Sequence, residues 1–357
     1  MTKRENLLAM LNKQPYKEIP MDFGLSPGLV EVFKQQTGSD LDYMDYYGMP
    51  WKPAFGPISY VKHDGFEKYY PFTLKPGTEF NIFGVAHEPG SAAALHMKRM
   101  HHPLKDADSP AVYDEYPFPA FDTQNGGGHI QKSVQEIKAK GLVAVGYMQG
   151  TIWETAWAVR SMEELMADML DENEMAEKLF DIVTETAKQQ AALFTAAGVD
   201  ILYLGDDIGM QRTPMMGMDM YITWLKPRLK QVIDTARAIN PHVLVFYHSC
   251  GFITPFIPHL IEIGIDALHP VQPECMAFEE IYKDFGDKLN FHGTIGTQST
   301  FPLGTPDEMR AVIFRNLDLT DGGKGLYIAP THLLEPDVPW ENIAAYVDAC
   351  REYGGKL

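Results

Sequence analysis

Cysteine is nearly absent from this chain: Cys250, Cys275 and Cys350 are the only three in 357 residues. Three thiols in a chain this long cannot build a disulfide framework, so free thiols or metal ligands in a reducing compartment are expected. Long apolar runs are missing as well, and no stretch approaches the roughly 20 consecutive apolar residues that cross a bilayer. The opening MTKRENLLAMLNKQPYKEIP scatters charges among its apolar positions. It reads as an amphipathic helix and not as a signal peptide, so a cytoplasmic protein is expected. Positive charge is scarce: 30 Lys and Arg stand against 48 Asp and Glu, a net charge of −18. That balance argues against nucleic-acid binding by phosphate neutralisation and against anionic membranes. Arginine is scarcest at the start, where Arg4 is the only one before Arg99.

What is present is a long alternation of short apolar runs and helical patterns, the signature of repeated βα units. Strands are expected at Ile19–Phe23, Leu142–Gln149, Ile201–Asp206, Val243–His248, Ala267–Val271, Leu289–Ile295 and Gly325–Pro330. Each run is short, nearly all apolar and followed by Gly, Pro or polar residues, as strands buried on both faces are. Helices are expected at Ser161–Leu170, Asn173–Ala197, Met220–Ile239, Thr254–Ile263, Ala277–Phe285, Thr305–Leu317 and Trp340–Tyr353. Ser161/Glu164 has capping-box spacing, and Thr305-Pro306-Asp307-Glu308 makes a good helix start. The fold expected is a single (β/α)8 TIM barrel over residues 1–357. The stretch Thr37–Phe121, rich in Pro, Gly and aromatics, reads as an elaboration near the barrel mouth, with an interrupted strand at Glu79–His87.

Barrel chemistry sits where strands end. Asp22 follows the first expected strand and Gln149 ends the second; Asp206 and Asp207 end the next, and His248 and Cys250 the one after. His269 and Gln272 belong to the following strand end, His292 lies within Leu289–Ile295, and His332 follows Gly325–Pro330. With only 12 His and 3 Cys in the chain, this concentration on one rim is the sequence's main sign of a site. In His248-Ser249-Cys250, residues i and i+2 of a strand end point the same way, so imidazole and thiolate can share a zinc ion. His332 is the natural third ligand. The alternative is a buried thiol beside a hydrogen-bonded imidazole. Asp206-Asp207 reads as a catalytic acid/base, a metal partner or a plain turn; adjacent residues alternate sides, so at most one faces the centre. Met148, Trp153, Trp157, Met210, Met215 and Met216 would suit an apolar substrate pocket. At helical spacing, Trp153 and Trp157 equally suit a core.

The segments MTKRENLLAMLN, GVDILYLGDDIGMQ, VLVFYHSCGFITPFIPHLIEIGIDALHPVQP and GLYIAPTHLLEPDVPWENI resemble the uroporphyrinogen decarboxylase-like superfamily, and in particular its corrinoid-dependent methyltransferases. The resemblance is weak between Thr37 and Phe121 and specific from Gly198 onward. It implies zinc held by the H-x-C motif, here His248 and Cys250, and by a distal Cys, where this chain has His332 in APTH. A neutral imidazole donates less charge than a thiolate and leaves the metal more electrophilic. That departure argues against methylation of coenzyme M or a similar thiol. It resembles instead the enzymes that demethylate small methylated substrates such as aryl methyl ethers. The resemblance also argues against uroporphyrinogen decarboxylation, which uses an N-terminal arginine cluster on the substrate carboxylates.

The function expected is a zinc-dependent transfer of methyl from a small methylated substrate to the Co(I) corrinoid of a separate carrier protein. Asp206 or Asp207 would be catalytic; Asp22, Gln149, Trp153, Met210 and His292 would contact substrate. Two rival readings stand beside it: a metal-free decarboxylase or lyase of the same fold, and a non-catalytic corrinoid- or tetrapyrrole-binding protein. A homodimer is the default assembly.

Overall fold

In the computed structural model, which describes residues 1–61, 65–90 and 98–355, the apolar runs become one curled parallel sheet. In chain order the strands are β1 (Trp51–Pro53), β2 (Glu79–Phe80), β3 (Ala86–Glu88), β4 (Arg99–His101), β5 (Val143–Gln149), β6 (Ile201–Gly205), β7 (Leu244–His248), β8 (Ala267–His269), β9 (Asn290–His292) and β10 (Leu326–Tyr327). Seven of them pair in the order β1-β5-β6-β7-β8-β9-β10, every pairing parallel. The remaining place in this TIM-barrel-like fold goes to the segment around Met21, which makes one parallel bridge to Ile328. Trp51 Nε1 of β1 donates to Asp22 Oδ1 at 3.0 Å, linking that segment to the other edge.

The expected strand Ile19–Phe23 is thus reduced to a bridge, and a barrel strand, β1, comes from the stretch that reads as elaboration. Pro53 explains part of this: it has no N–H for a ladder, and an edge position tolerates that lack. The rest of Thr37–Phe121 is an excursion that carries the antiparallel sheet β2-β3-β4; its residues 62–64 and 91–97 lie outside the described ones. The expected Glu79–His87 strand is two strands, β2 and β3, paired antiparallel.

Strand parity sorts the side chains. Val143, Val145, Ile201, Tyr203, Phe246, Ala267 and Tyr327 fill the barrel interior with Trp51, and Leu7, Met10 and Leu11 plug it from the N-terminal helix Lys3–Leu11. Alternate residues such as Ala144, Leu202, Leu204 and Val245 join the outer core under the helices. The same alternation, continued toward the strands' carboxyl ends, carries His248, His269 and His292 to the inner side.

Helix starts follow local chemistry. Thr2 with Glu5, and Thr305 with Glu308, form complete capping boxes, and Ser161 Oγ accepts the Glu164 N–H. The expected Met220–Ile239 helix is a π turn, Tyr221–Leu225, running into Lys226–Ile239. Pro227 at this joint offers no N–H to the regular ladder. Helices at Pro27–Thr37, Gly128–Ala139 and Trp153–Arg160 add to those read from the sequence.

Candidate metal centre at the barrel mouth

The end of β7 brings His248 and Cys250 together. His248 Nε2 lies 3.6 Å from Cys250 Sγ and 3.4 Å from Asp207 Oδ1. One ligand atom from each of Asp207, His248 and Cys250 falls within 4.8 Å of the others. Tetrahedral zinc with bonds of about 2.0–2.3 Å sets its ligands roughly 3.3–3.8 Å apart, so these spacings suit one ion without rebuilding the loop. Gly205 on the neighbouring strand makes room: a Cβ there would sit 2.7 Å from the His248 Cβ.

Electrostatics favour a cation. Burial pushes the Cys250 thiol well up, and Asp207 and Glu154 push it further. Burial would also raise Asp207, but the hydrogen bond and charge of His248, the Cys250 N–H and the charge of His332 bring it below its ordinary value. Asp207 Oδ1 accepts that Cys250 N–H at 2.7 Å. A divalent ion would favour the thiolate against the burial and the carboxylate repulsion that keep the thiol protonated.

A row of imidazoles stands behind the donors. His248 Nδ1 and His269 Nδ1 are 2.7 Å apart, and the His269 and His292 rings follow at 4.4 Å between centroids. Burial holds His269 well below its ordinary pKa, helped by His292 and His248. A proton on His248 Nδ1, donated to neutral His269, leaves the His248 Nε2 lone pair toward Cys250 and Asp207. This is how an outer partner sets a ligand's tautomer. His292 Nε2 lies 3.2 Å from Asp22 Oδ2, and burial lowers its pKa against the opposing pull of Asp22.

The two aspartates part company. Asp207 joins His248 and Cys250, whereas Asp206, 3 % exposed, turns outward. Its carboxylate accepts the backbone N–H groups of Ile152 at 3.0 Å and Glu154 at 2.9 Å, at the start of the helix Trp153–Arg160. Burial pushes it up to about 7 despite those bonds. Asp206 anchors a helix and does not face the centre.

The expected substrate residues divide similarly. Asp22, Gln149 and His292 line a central cavity of about 370 Å³ with His248, Tyr147 and Tyr203. Met210 lines a neighbouring cavity of about 380 Å³ with Cys250 and Gln272. His332 lines both cavities and is exposed, outside the 4.8 Å group of donors. Trp153 is 0 % exposed and belongs to the core, so direct contact with a ligand is closed to it. Its helical neighbour Trp157 lines a third cavity instead. The sequence reading missed Glu154, which burial, Asp206 and Asp207 push up to about 8. Nothing in its spacing marks it. His269 was legible on the rim, and its register opposite His248 is the signal that ties it to the donors.

Among solved structures, the chain is similar to a methyltransferase from Methanosarcina mazei. The identity is 20 %, 99 % of each chain is covered, and the TM-score is 0.66. A psychrophilic glycoside hydrolase family 10 endo-β-1,4-xylanase is more remote, at 13 % identity over 64 % of this chain and 82 % of its own, with a TM-score of 0.38. No curated protein matches the sequence. No helix among the described residues is long and apolar enough to cross a membrane. The parallel barrel agrees with the family match, which covers residues 80–353 under the description uroporphyrinogen decarboxylase (URO-D), and the chain belongs to that family.

Proposed function

We propose that the protein is a zinc-dependent methyltransferase that moves a methyl group from a small methylated substrate, such as an aryl methyl ether, to the Co(I) corrinoid of a separate carrier protein. The observation that carries this reading is the convergence of Asp207, His248 and Cys250 on one point of the barrel mouth. The likeness to a methyltransferase over the whole chain supports it.

Asp207, His248 and Cys250 would hold the ion, and His332, which the sequence offered as third ligand, stands at the cavity lining beside the open position. Three protein ligands with an open position are the pattern of catalytic zinc. Bound there, zinc supplies Lewis acidity to the departing oxygen. The methyl carbon passes to the cobalt of the carrier's corrinoid, and the C–O electron pair stays with the oxygen. His269 keeps His248 in the ligating tautomer. Asp22 and His292 orient the substrate in the central cavity, and Gln149 borders it. Asp206 serves this chemistry only by anchoring the helix beside it.

Purified protein is expected to carry about one zinc per chain by elemental analysis. His248→Ala and Cys250→Ala should lower metal affinity and methyl transfer by at least about a hundredfold. Transfer is followed as methylcobalamin absorbance with Co(I) corrinoid and a set of methylated compounds. Full activity of the Cys250→Ala protein without zinc would end this reading. The Asp22–His292 pair is the observation that favours the rival, a metal-free acid/base lyase; that reading requires turnover to survive chelation.

A further inference from the structure

Where the ladder between β6 and β7 ends, at Gly205 and His248, side chains carry it on. Asp207 Oδ1 accepts the Cys250 N–H at 2.7 Å, and Ser249 Oγ accepts the Ile208 N–H at 3.0 Å. Each strand end thus lends one oxygen to the backbone of the other. The same Ser249 hydroxyl donates to the Cys250 carbonyl at 3.2 Å, and the Ser249 N–H donates to the His269 carbonyl of β8 at 2.8 Å. Ser249 and Ile208 are both 0 % exposed. A buried hydroxyl and a buried N–H each need a partner, and here they satisfy one another.

Backbone packing joins the two loops beyond this point. Phe252 donates its N–H to the Met210 carbonyl at 2.7 Å. Gly209 and Gly251 meet there without side chains. A Cβ on Gly209 would sit 2.6 Å from the Cys250 carbonyl oxygen, and one on Gly251 would sit 2.7 Å from that of Met210. Gly251 has a φ of +84°, which glycine adopts at no steric cost. Asp207 therefore stands beside His248 and Cys250 through protein–protein bonds alone. Alternation turns His248 and Cys250 to one side of the strand end and Ser249 to the other, so the serine acts on the donors through their backbone.

We infer that Ser249 is a positioning residue of the metal centre. By binding Ile208 on one loop and Cys250 on the other, its hydroxyl sets the distance from the Asp207 carboxylate to the Cys250 thiol. It thereby sets how tightly, and in what geometry, a divalent ion is held. The role rests on the reading of Asp207, His248 and Cys250 as ligands; it does not rest on methyl transfer.

Titration of the metal-free full chain with Co(II), read by its ligand-field and thiolate charge-transfer bands, tests this. Ser249→Ala should weaken Co(II) and zinc binding about tenfold or more and shift the ligand-field bands. The charge-transfer band should persist, because His248 and Cys250 share one strand end. Ser249→Thr returns the hydroxyl and should restore affinity and bands together. A serine with a purely structural role would lower the urea midpoint of Ser249→Ala and leave the folded protein's affinity and bands as in the parent. That result overturns the inference and spares the metal centre. Hydrogen exchange of the parent needs no variant: the Ile208 N–H should be protected in the metal-free chain as strongly as in the zinc-loaded one. Protection that arises only with zinc also overturns the inference. A parent that binds neither ion removes the metal centre and the role together. Binding weakened in Ser249→Ala and restored in Ser249→Thr, in a protein that transfers no methyl group, upholds Ser249 and removes the methyl-transfer reading.

Discussion

Asp206 and Asp207 are adjacent and chemically identical, yet strand parity gives them opposite surroundings. Following Gly205 at the end of β6, one side chain turns out under the helix Trp153–Arg160 and the next turns into the mouth. Removing each should therefore fail differently. Asp206→Ala leaves the buried N–H groups of Ile152 and Glu154 without their acceptor, a loss of about 1–3 kcal/mol in urea unfolding, with zinc content retained. Asp207→Ala, which removes the acceptor of the Cys250 N–H, should also cost about 1–3 kcal/mol in the metal-free protein but, unlike Asp206→Ala, abolish stoichiometric zinc. The opposite pattern, a stable Asp206→Ala protein without zinc, would reverse the assignment of the pair. His248 shows the same logic from the other direction: its partner His269 sits in register with it on β8, so the outer hydrogen bond comes with the strand pairing.

At the scale of elements, a buried guanidinium joins the backbone and side-chain bonds that tie the excursion to the barrel's helices. Arg160 Nη1 donates to the carbonyls of Leu104, Lys105 and Ala107, while its Nε donates to Asp168 Oδ2 at 2.9 Å. Both side chains of the ion pair are under 10 % exposed. Arg160→Ala strands three carbonyls and a buried carboxylate whose remaining side-chain partner is Asn173. The expected cost is about 3–5 kcal/mol, because breaking a buried pair leaves its charge uncompensated. Limited proteolysis should find the segment after β4 cut faster than in the parent. A change under about 1 kcal/mol with unchanged cleavage would show that the excursion is held elsewhere.

At the scale of the whole molecule, contacts between distant parts of the chain close the barrel. Tyr346 near the C-terminus donates its hydroxyl toward the carbonyls of Asp22 and Ile328. At the opposite end, Asp200 before β6 binds Arg4 of the first helix at 2.7 Å and Lys138 at 2.9 Å. Burial would raise the Asp200 carboxyl, but Arg4, Lys138 and the Ala144 N–H bring it below its ordinary value. A carboxyl depressed on folding stabilises the protein above its unfolded pKa, and that contribution is lost as pH falls through the folded value. Asp200→Asn should cost about 1–3 kcal/mol at pH 7. The gap from the parent should narrow as pH drops below the ordinary carboxylate range. A gap independent of pH would mean the carboxylate's charge does not contribute.

Much of this architecture could be read from residue order. β6 and β7 lie within a residue of their expected bounds, because strands buried on both faces are continuous apolar runs. His248 and Cys250 share one strand end, and i, i+2 geometry is local. β1 escaped because three residues including Pro53 carry no periodicity, and its pairing with β5 spans about ninety positions. Trp153 and Trp157 could not be told apart because helical spacing says they neighbour each other, not which of them meets a cavity. Glu154 and the pocket it lines arise where the excursion packs on a helix, and neither segment describes that contact alone. Alternation and capping are relations between near neighbours, so the order of residues contains them. The choice of Asp207 as partner to His248 and Cys250, and of Asp206 as anchor of a neighbouring helix, are set by distances between separate elements. Such distances exist only after the apolar core has closed the sheet and brought those elements side by side.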